Sequence, residues 1–185
     1  LDGECDCDGN VLDECGICNG DGILDGECDC EGNVLDECGI CDGVDLVFDG
    51  YCQIDIDFLN EFISINPELL LLDLTATQLG TQIWEDNRLV EFSISAAGNS
   101  PQIINVPENI SNLTYLRSLE LFSTDITALP NEIRYLSNLE NLYLAYNHSL
   151  TLLPDNLSTL DNLEDLDLTS CSFSIFPDSI FDLVD

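Results

Sequence analysis

From Val106 onward, apolar residues recur at a fixed long period. Copies of one phrase open at Val106-Pro107, Leu129-Pro130 and Leu153-Pro154, and a fourth begins at Phe176-Pro177; the prolines are 23, 24 and 23 residues apart. Leu116, Leu119, Leu121 and Ile126 are matched by Leu139, Leu142, Leu144 and Leu150, then by Leu163, Leu166, Leu168 and Phe173. A period in the twenties is the signature of a solenoid. Within each copy, two leucines alternate with one outward residue, which predicts a short strand with one buried face. The chain then turns through a ladder position held by Thr124, Asn147 and Cys171. The proline-led half, with Ile110/Leu113, Ile133/Leu136 and Leu157/Leu160, predicts a short helical or irregular return over the convex side. Each coil buries its leucines only against its neighbours, so three coils need further coils and a cap.

Upstream, Phe58, Leu59, Phe62, Ile63 and Ile65, ending at Asn66-Pro67, predict an amphipathic cap helix over residues 53–67. The series Leu69, Leu72, Leu74, Thr77 and Leu79 fits the strand-and-turn template, and Leu89, Phe92, Ile94 and Ala97 fit it again. Both coils would have unusual backs, with a surface loop over 97–101 and Trp84 packed under the first coil.

The LP-x-x-I/L repeat of about 23 residues resembles the leucine-rich repeat family. That resemblance implies an α/β solenoid with short parallel strands and an irregular or short-helical convex side, here over residues 68–185, ending inside a repeat. Ahead of it, residues 1–52 predict a small, disulfide-rich, loop-dominated module.

In that module LDGECDCDGNVLDECGICNGDGI (1–23) recurs as LDGECDCEGNVLDECGICDGVDL (24–46), identical at 18 of 23 positions, with Cys52 closing it. Nine of the ten cysteines lie here, among 16 Asp and Glu and no Lys or Arg. Apolar residues are too few for a core, so a covalent or metallic tie is required. The CxxC pairs Cys15/Cys18 and Cys38/Cys41 could be zinc ligands or a redox motif. Disulfides are the better reading, because histidine is lacking, and they place the protein outside the cytoplasm. Spacing suggests Cys7 with Cys15, Cys30 with Cys38, Cys18 with Cys28 and Cys41 with Cys52, leaving Cys5 over, although many other connectivities exist.

The carboxylates follow their own order. Asp6, Asp8, Asn10 and Asp13, then Asn19, Asp21 and Asp25, then Asp29, Glu31, Asn33 and Asp36, place oxygen atoms at alternate positions about tight glycine turns. Such hard ligands suit Ca²⁺, or else the residues serve turn geometry alone. The DxDGxxD pattern resembles thrombospondin type 3 and dockerin-like repeats, and the tandem looks like modules of large secreted proteins of marine microbes. Calcium binding is what the first resemblance implies.

The chain carries 37 acidic residues against three basic ones, a formal charge of −34 over 185 residues. Nucleic acid is excluded as a partner, since phosphate contacts need basic side chains. Self-repulsion of this size suggests salt or divalent cations in the native setting. No stretch reaches the length of a membrane span. No leader is visible, and the chain begins and stops inside repeats, so a piece of something longer is expected.

Asp73, Ser93, Glu120, Tyr143 and Asp167 form one outward column, and Thr75, Ser95, Phe122, Ala145 and Thr169 the next, with Tyr146 beyond. In a solenoid this concave sheet is the usual ligand surface. Glu120, Phe122, Tyr143, Tyr146 and Asp167 make it acidic and aromatic, suited to a protein or glycan partner. A charged strand face also keeps a solenoid soluble. Sequons at Asn109, Asn112 and Asn156 fall on the convex side and are candidate glycan acceptors, whereas the one at Asn147 occupies the buried ladder position. No catalytic arrangement is recognisable: His148 lacks a paired nucleophile, Cys171 sits in the ladder, and no HExxH or GxSxG occurs. The sequence therefore predicts an extracellular, non-enzymatic recognition or adhesion protein with a calcium- and disulfide-stiffened spacer. The alternative is a structural subunit of a fibre or surface appendage, assembled by head-to-tail self-association.

Overall fold

A computed structural model describes residues 5–6, 8–44, 47–98 and 100–173. The fourth coil expected at Phe176-Pro177 and any pairing of Cys7 lie outside these residues. The chain divides into two compact units, Leu1–Val47 and Phe48–Asp185.

The second unit is the solenoid with its cap. Helix α1 (Gln53–Ile65) buries Ile56, Phe58, Leu59, Phe62 and Ile63, as its periodicity predicts. It stops where Asn66 takes an extended conformation ahead of Pro67, the backbone region favoured before proline. Phe58 and Phe62 meet Phe92 edge-on, at ring-centroid separations of 5.9 and 5.6 Å.

The predicted coil at Leu69–Leu79 is not a coil. Pro67 instead opens a one-turn helix α2 (Pro67–Leu70), followed by a turn through Asp73 at φ 52° and a 3-10 turn at Ala76–Gln78. Leu69 and Leu79 are buried, but Leu70, Leu71 and Leu72 are exposed, Leu71 at 84%. The sheet edge that this coil would have filled is occupied by a hairpin. Ahead of the cap helix, β1 (Val47–Phe48) and β2 (Tyr51–Cys52) make one two-stranded ribbon. Strand β3 (Thr81–Glu85) then pairs antiparallel with β4 (Arg88–Ser95) through Asp86-Asn87, both at positive φ. Two left-handed central residues are the geometry of a type I′ hairpin turn. Gly80, at φ 61°, precedes β3 where a Cβ would meet the carbonyl oxygen of Ser93.

From β4 onward the prediction is met. Strands β4, β5 (Ser118–Phe122), β6 (Asn141–Tyr143) and β7 (Asp165–Asp167) are parallel neighbours in one five-stranded sheet, in the order β3-β4-β5-β6-β7. The returns are 3-10 turns at Glu108–Asn112, Asn131–Tyr135 and Leu157–Thr159, each after its Pro107, Pro130 or Pro154. Leu116, Leu119 and Leu121 and their equivalents Leu139, Leu142 and Leu144 are fully buried.

The ladder position carries hydrogen bonds from coil to coil. Asn147 donates to the carbonyls of Leu121 and Leu144 at 2.7 and 2.8 Å, and Thr124 Oγ1 donates to Asn147 Oδ1 at 2.6 Å. Cys171 approaches the Leu144 carbonyl at 3.2 Å. Just before each ladder residue the chain turns through a left-handed residue: Ser123, Tyr146 and Ser170, at φ 52°, 63° and 60°. On the return side Asn138, Asn156 and Asn162 donate to carbonyls of the preceding coil, at Thr114, Asn131 and Ser137.

The cap is tied on by polar groups that the hydrophobic pattern does not show. Asp55 is fully buried and Arg88 is 3% exposed. Arg88 donates to both Asp55 oxygens, at 2.8 and 3.0 Å, and to the Asn112 carbonyl at 3.0 Å. The Leu89 N–H also donates to Asp55, at 2.8 Å. Burial pushes the Asp55 carboxyl up, against the opposing pull of Arg88. Asn66, also buried, donates to the carbonyls of Phe62 and Asn105 and accepts from the N–H groups of Ile104 and Asn105.

Removing one member of a buried ion pair strands the other, at a cost of about 3–5 kcal/mol. Asp55→Ala or Arg88→Met alone is expected to lose that amount in urea unfolding, while the double replacement Asp55→Leu/Arg88→Met recovers much of it. Single variants within about 1 kcal/mol of the parent would show that the pair does not fasten the cap.

Candidate recognition face

The sheet register assembles the outward columns without a break. Ser93, Glu120, Tyr143 and Asp167 are consecutive partners across β4 to β7, and Glu91, Ser118, Asn141 and Asp165 form the column beside them. Ser95 pairs with Phe122 in the third column. Asp73 and Thr75 do not join: they lie in the turn after α2, because β3 holds that edge. Ala145 is buried rather than outward. Beside it Phe122 and Tyr146 bring their rings to a centroid separation of 5.2 Å, with Tyr146 46% exposed. The structure thus places Glu120, Tyr143 and Asp167 on one line, with Phe122 and Tyr146 as a ring pair near it. The Glu91 column was missed by sequence reasoning; alternation extended one step back from Ser93, Glu120, Tyr143 and Asp167 would have found it.

Polar contacts order the face. Ser93 Oγ donates to Glu120 at 2.9 Å, the Thr169 N–H donates to Asp167 at 2.8 Å, and the Tyr143 hydroxyl donates to Asn141 Oδ1 at 3.2 Å. Thr169 holds the Asp167 carboxyl below the ordinary range. The Tyr143 phenol is pushed up, first by desolvation and then by the charge of Asp165.

Trp84 is half-buried against Tyr51, ring centroids 4.5 Å apart, with its Nε1–H donated to Gln82. Open grooves of about 390 Å³, beside Tyr115 and Glu140, and about 500 Å³, beside Tyr51 and Leu74, contain no histidine or cysteine. His148 is exposed in its turn, and the Cys171 thiol is free, with its pKa raised by burial. The candidate sequon residues Asn109, Asn112 and Asn156 are half-buried rather than exposed, the first two inside a 3-10 turn and Asn156 just ahead of one, and Asn156 already donates to Asn131. Asn147 is fully buried with its amide nitrogen engaged.

In the first unit every pairing suggested by spacing is overturned. Cys5 bonds Cys18, Cys28 bonds Cys41, and Cys15 bonds Cys30. Cys38 and Cys52 are disulfide-bonded as well. Two bridges thus close a repeat on itself, and Cys15–Cys30 joins one repeat to the next. Turn geometry explains the difference. Short bridges Leu12–Cys18 and Leu35–Cys41 fold each DECGIC segment into a tight hairpin, which brings Cys18 and Cys41 back beside Cys5 and Cys28. Loops of this size contribute about 3 kcal/mol per bridge.

The aspartates build the same turns. Asp6 Oδ1 accepts from the N–H groups of Asp8 and Asn10, and Asp29 Oδ1 from those of Glu31 and Asn33. Their second oxygens accept from the side-chain amides of Asn10 and Asn33, at 2.6 and 2.7 Å. Asp13 takes the N–H groups of Cys15, Ile17 and Gly22, and Asp36 those of Cys38 and Ile40. Asp8, Asp21, Asp25 and Glu31 are exposed, and Asn19 sits in a left-handed turn at φ 52°. Among the described residues, acidic or cysteine ligand atoms converge in threes only at Cys5–Asp6–Cys18 and Cys28–Asp29–Cys41. Both sulfur pairs are disulfides, so these sulfurs do not offer thiolate ligands to zinc.

These turns set a pH dependence. The Asp6 and Asp29 carboxyls lie below their ordinary 3.8, chiefly through the amides of Asn10 and Asn33, and Asp13 chiefly through the Ile17 N–H. A lowered folded pKa stabilises the fold above 3.8 and is lost as pH falls through the folded value. In an NMR titration the amide protons of Asn10, Ile17 and Asn33 are expected to shift with midpoints below 3.8. Midpoints at or above that value would show that the carboxylates do not hold these turns.

No protein-family model and no curated protein matches the chain. Among solved structures, a leucine-rich repeat protein of Leptospira interrogans aligns over 51% of this chain and 29% of its own, at 26% identity and TM-score 0.45. The PEPR1–AtPEP1 structure aligns over 58% of this chain and 15% of that one, at 19% identity and TM-score 0.45. The BIR3–SERK2 complex from Arabidopsis thaliana aligns over 67% and 86%, at 18% identity and TM-score 0.43. This chain spans less than a third of the length of the first two. The overlays are partial, and the leucine-rich-repeat-like solenoid stands on its own repeat and register.

Proposed function

We propose that this chain is a non-catalytic recognition protein that binds a protein partner through the concave sheet, in an extracellular setting. The carrying observation is the continuous column Ser93–Glu120–Tyr143–Asp167, an open face with an aromatic residue between carboxylates. Disulfides in the acidic repeats support the extracellular setting. No helix among the described residues is long and apolar enough to cross a membrane. The repeats serve in this reading as a covalently held spacer.

A photo-crosslinking residue at Tyr143 is expected to capture a protein in the native extracellular milieu, and one at the convex Glu132 is not. Equal capture at both positions, or glycan alone at Tyr143, would overturn the reading. Regular polymers of the purified protein would favour the fibre alternative instead.

Calcium loading belongs to the same proposal and stands on donor chemistry alone, through Asp6, Asp8, Asp13, Asp21, Asp25, Asp29, Glu31 and Asp36 with Asn10, Asn19 and Asn33. Titration calorimetry on the oxidised protein is expected to show saturable uptake of more than one ion, with unfolding of the first unit sensitive to EDTA. No heat and an unchanged melt would leave disulfides and Asp-centred turns as the whole support of the repeats.

A further inference from the structure

The concave face lacks its own counter-charge. Of the three bases in the chain, Arg88 is buried on Asp55, and Arg117 is paired with Glu85. Arg134 lies over the Tyr135 ring, in the 3-10 turn Asn131–Tyr135 on the opposite side of the coils. The outward columns hold Glu91, Glu120, Asp165 and Asp167 and no basic residue. The polar contacts of Glu120 and Asp167 are neutral, from Ser93 and Thr169.

The arrangement is more specific than bulk charge. Tyr143 on β6 stands between Glu120 on β5 and Asp167 on β7. Neighbouring strands are about 4.8 Å apart, so the two acidic positions flank the tyrosine at a separation of about 10 Å. A Lys or Arg head within about 6 Å of the ring would gain a cation–π contact and reach both carboxylates. Two residues beyond Glu120, at about 6.6 Å, stands Phe122, whose ring pairs with that of Tyr146. Tyr146 keeps its large side chain at a left-handed position where the other coils use Ser123 and Ser170. A cation and an apolar contact at this spacing match side chains i and i+2 of an extended strand.

We propose that the occupant of this face is an extended cationic protein segment, with a Lys or Arg over Tyr143 and an apolar side chain two residues away on the Phe122–Tyr146 rings. This rests on the recognition reading above and narrows it to one partner chemistry.

The test is an NMR titration of the whole oxidised chain, at near-physiological salt, with the peptide acetyl-GRGFGRG-amide. Signals of Glu120, Tyr143 and Asp167 are expected to move saturably, and the counterpart acetyl-GEGFGEG-amide is expected to leave them unmoved. Tyr143→Ala keeps the charge and is expected to weaken binding about fivefold, while Tyr143→Phe retains it. Glu120→Gln/Asp167→Asn is expected to weaken binding more than Glu61→Gln/Glu132→Gln, which removes two charges from the cap helix and a return turn. Equal losses from the two charge pairs would reduce the interaction to bulk attraction and overturn the proposal. If the basic peptide fails while a crosslinker at Tyr143 still captures a protein, the cationic inference falls and the recognition reading stands. If neither engages the face, both fall.

Discussion

The solenoid depends on the buried contact between Asp55 and Arg88. A helix, a hairpin strand and the first return turn meet there, and each contributes a group the others need. The Asp55 carboxylate receives two guanidinium N–H groups and the Leu89 amide, and Arg88 also donates to the Asn112 carbonyl and lies over the Tyr115 ring. Burying two charges is costly unless their hydrogen-bonding capacity is filled. Here the partners come from three elements distant in sequence, so α1, β4 and the first coil are fixed together. Asn66 repeats the device at the other end of α1, filling both donors and both acceptor sites of its amide with backbone groups. The first of these polar fasteners sets where β4 lies and the second holds the segment at Ile104–Asn105, and β4 sets the register of every strand after it.

From β4 onward, stability is a matter of neighbours. Each coil leaves backbone carbonyls that only the next coil can satisfy. Asn147 does this inside, steadied by Thr124 donating to its amide oxygen, and Asn138, Asn156 and Asn162 do it on the return side. The left-handed residue before the ladder takes the chain off the sheet at the same point in each coil. Strict register follows, and it lines Glu120, Tyr143 and Asp167 in one row. The outward row is therefore a by-product of the internal ladder, whose regularity brings side chains from separate coils together.

Much of this was legible because leucine spacing encodes burial directly. The proline-led returns, the ladder residues Thr124, Asn147 and Cys171, and the column from Ser93 to Asp167 all follow from period alone. The coil expected at Leu69–Leu79 failed because Leu70, Leu71 and Leu72 mimic a buried strand, while Pro67 favours a helical turn and the β3–β4 hairpin takes the edge. That hairpin was readable in the alternation of Thr81–Glu85, but its Asp86-Asn87 turn lacks the glycine that usually advertises one. Asp55 and Arg88 were hidden because a charged residue in sequence looks the same whether it faces water or another charge. The disulfides were misassigned for a related reason. Spacing favours the nearest cysteines, whereas the Asp13 and Asp36 turns fold the chain back and bring Cys18 to Cys5 and Cys41 to Cys28.

One residue type does opposite work in the two units, and only the direction of its oxygens separates the roles. In the repeats, Asp6, Asp13, Asp29 and Asp36 turn inward on backbone N–H groups and behave as structural acceptors, and the proton affinities of Asp6, Asp13 and Asp29 fall with the hydrogen bonds they accept. On the sheet, Glu120 and Asp167 project from strands whose backbone groups are already paired, so much of their acceptor capacity faces outward. A chain with one base for every dozen acids cannot neutralise that face from within. Its three arginines stand elsewhere, in the cap contact, beside Glu85 and over Tyr135. The open carboxylates beside Tyr143 are consequently the part of this acidic surface that geometry, rather than composition, singles out for an external cation.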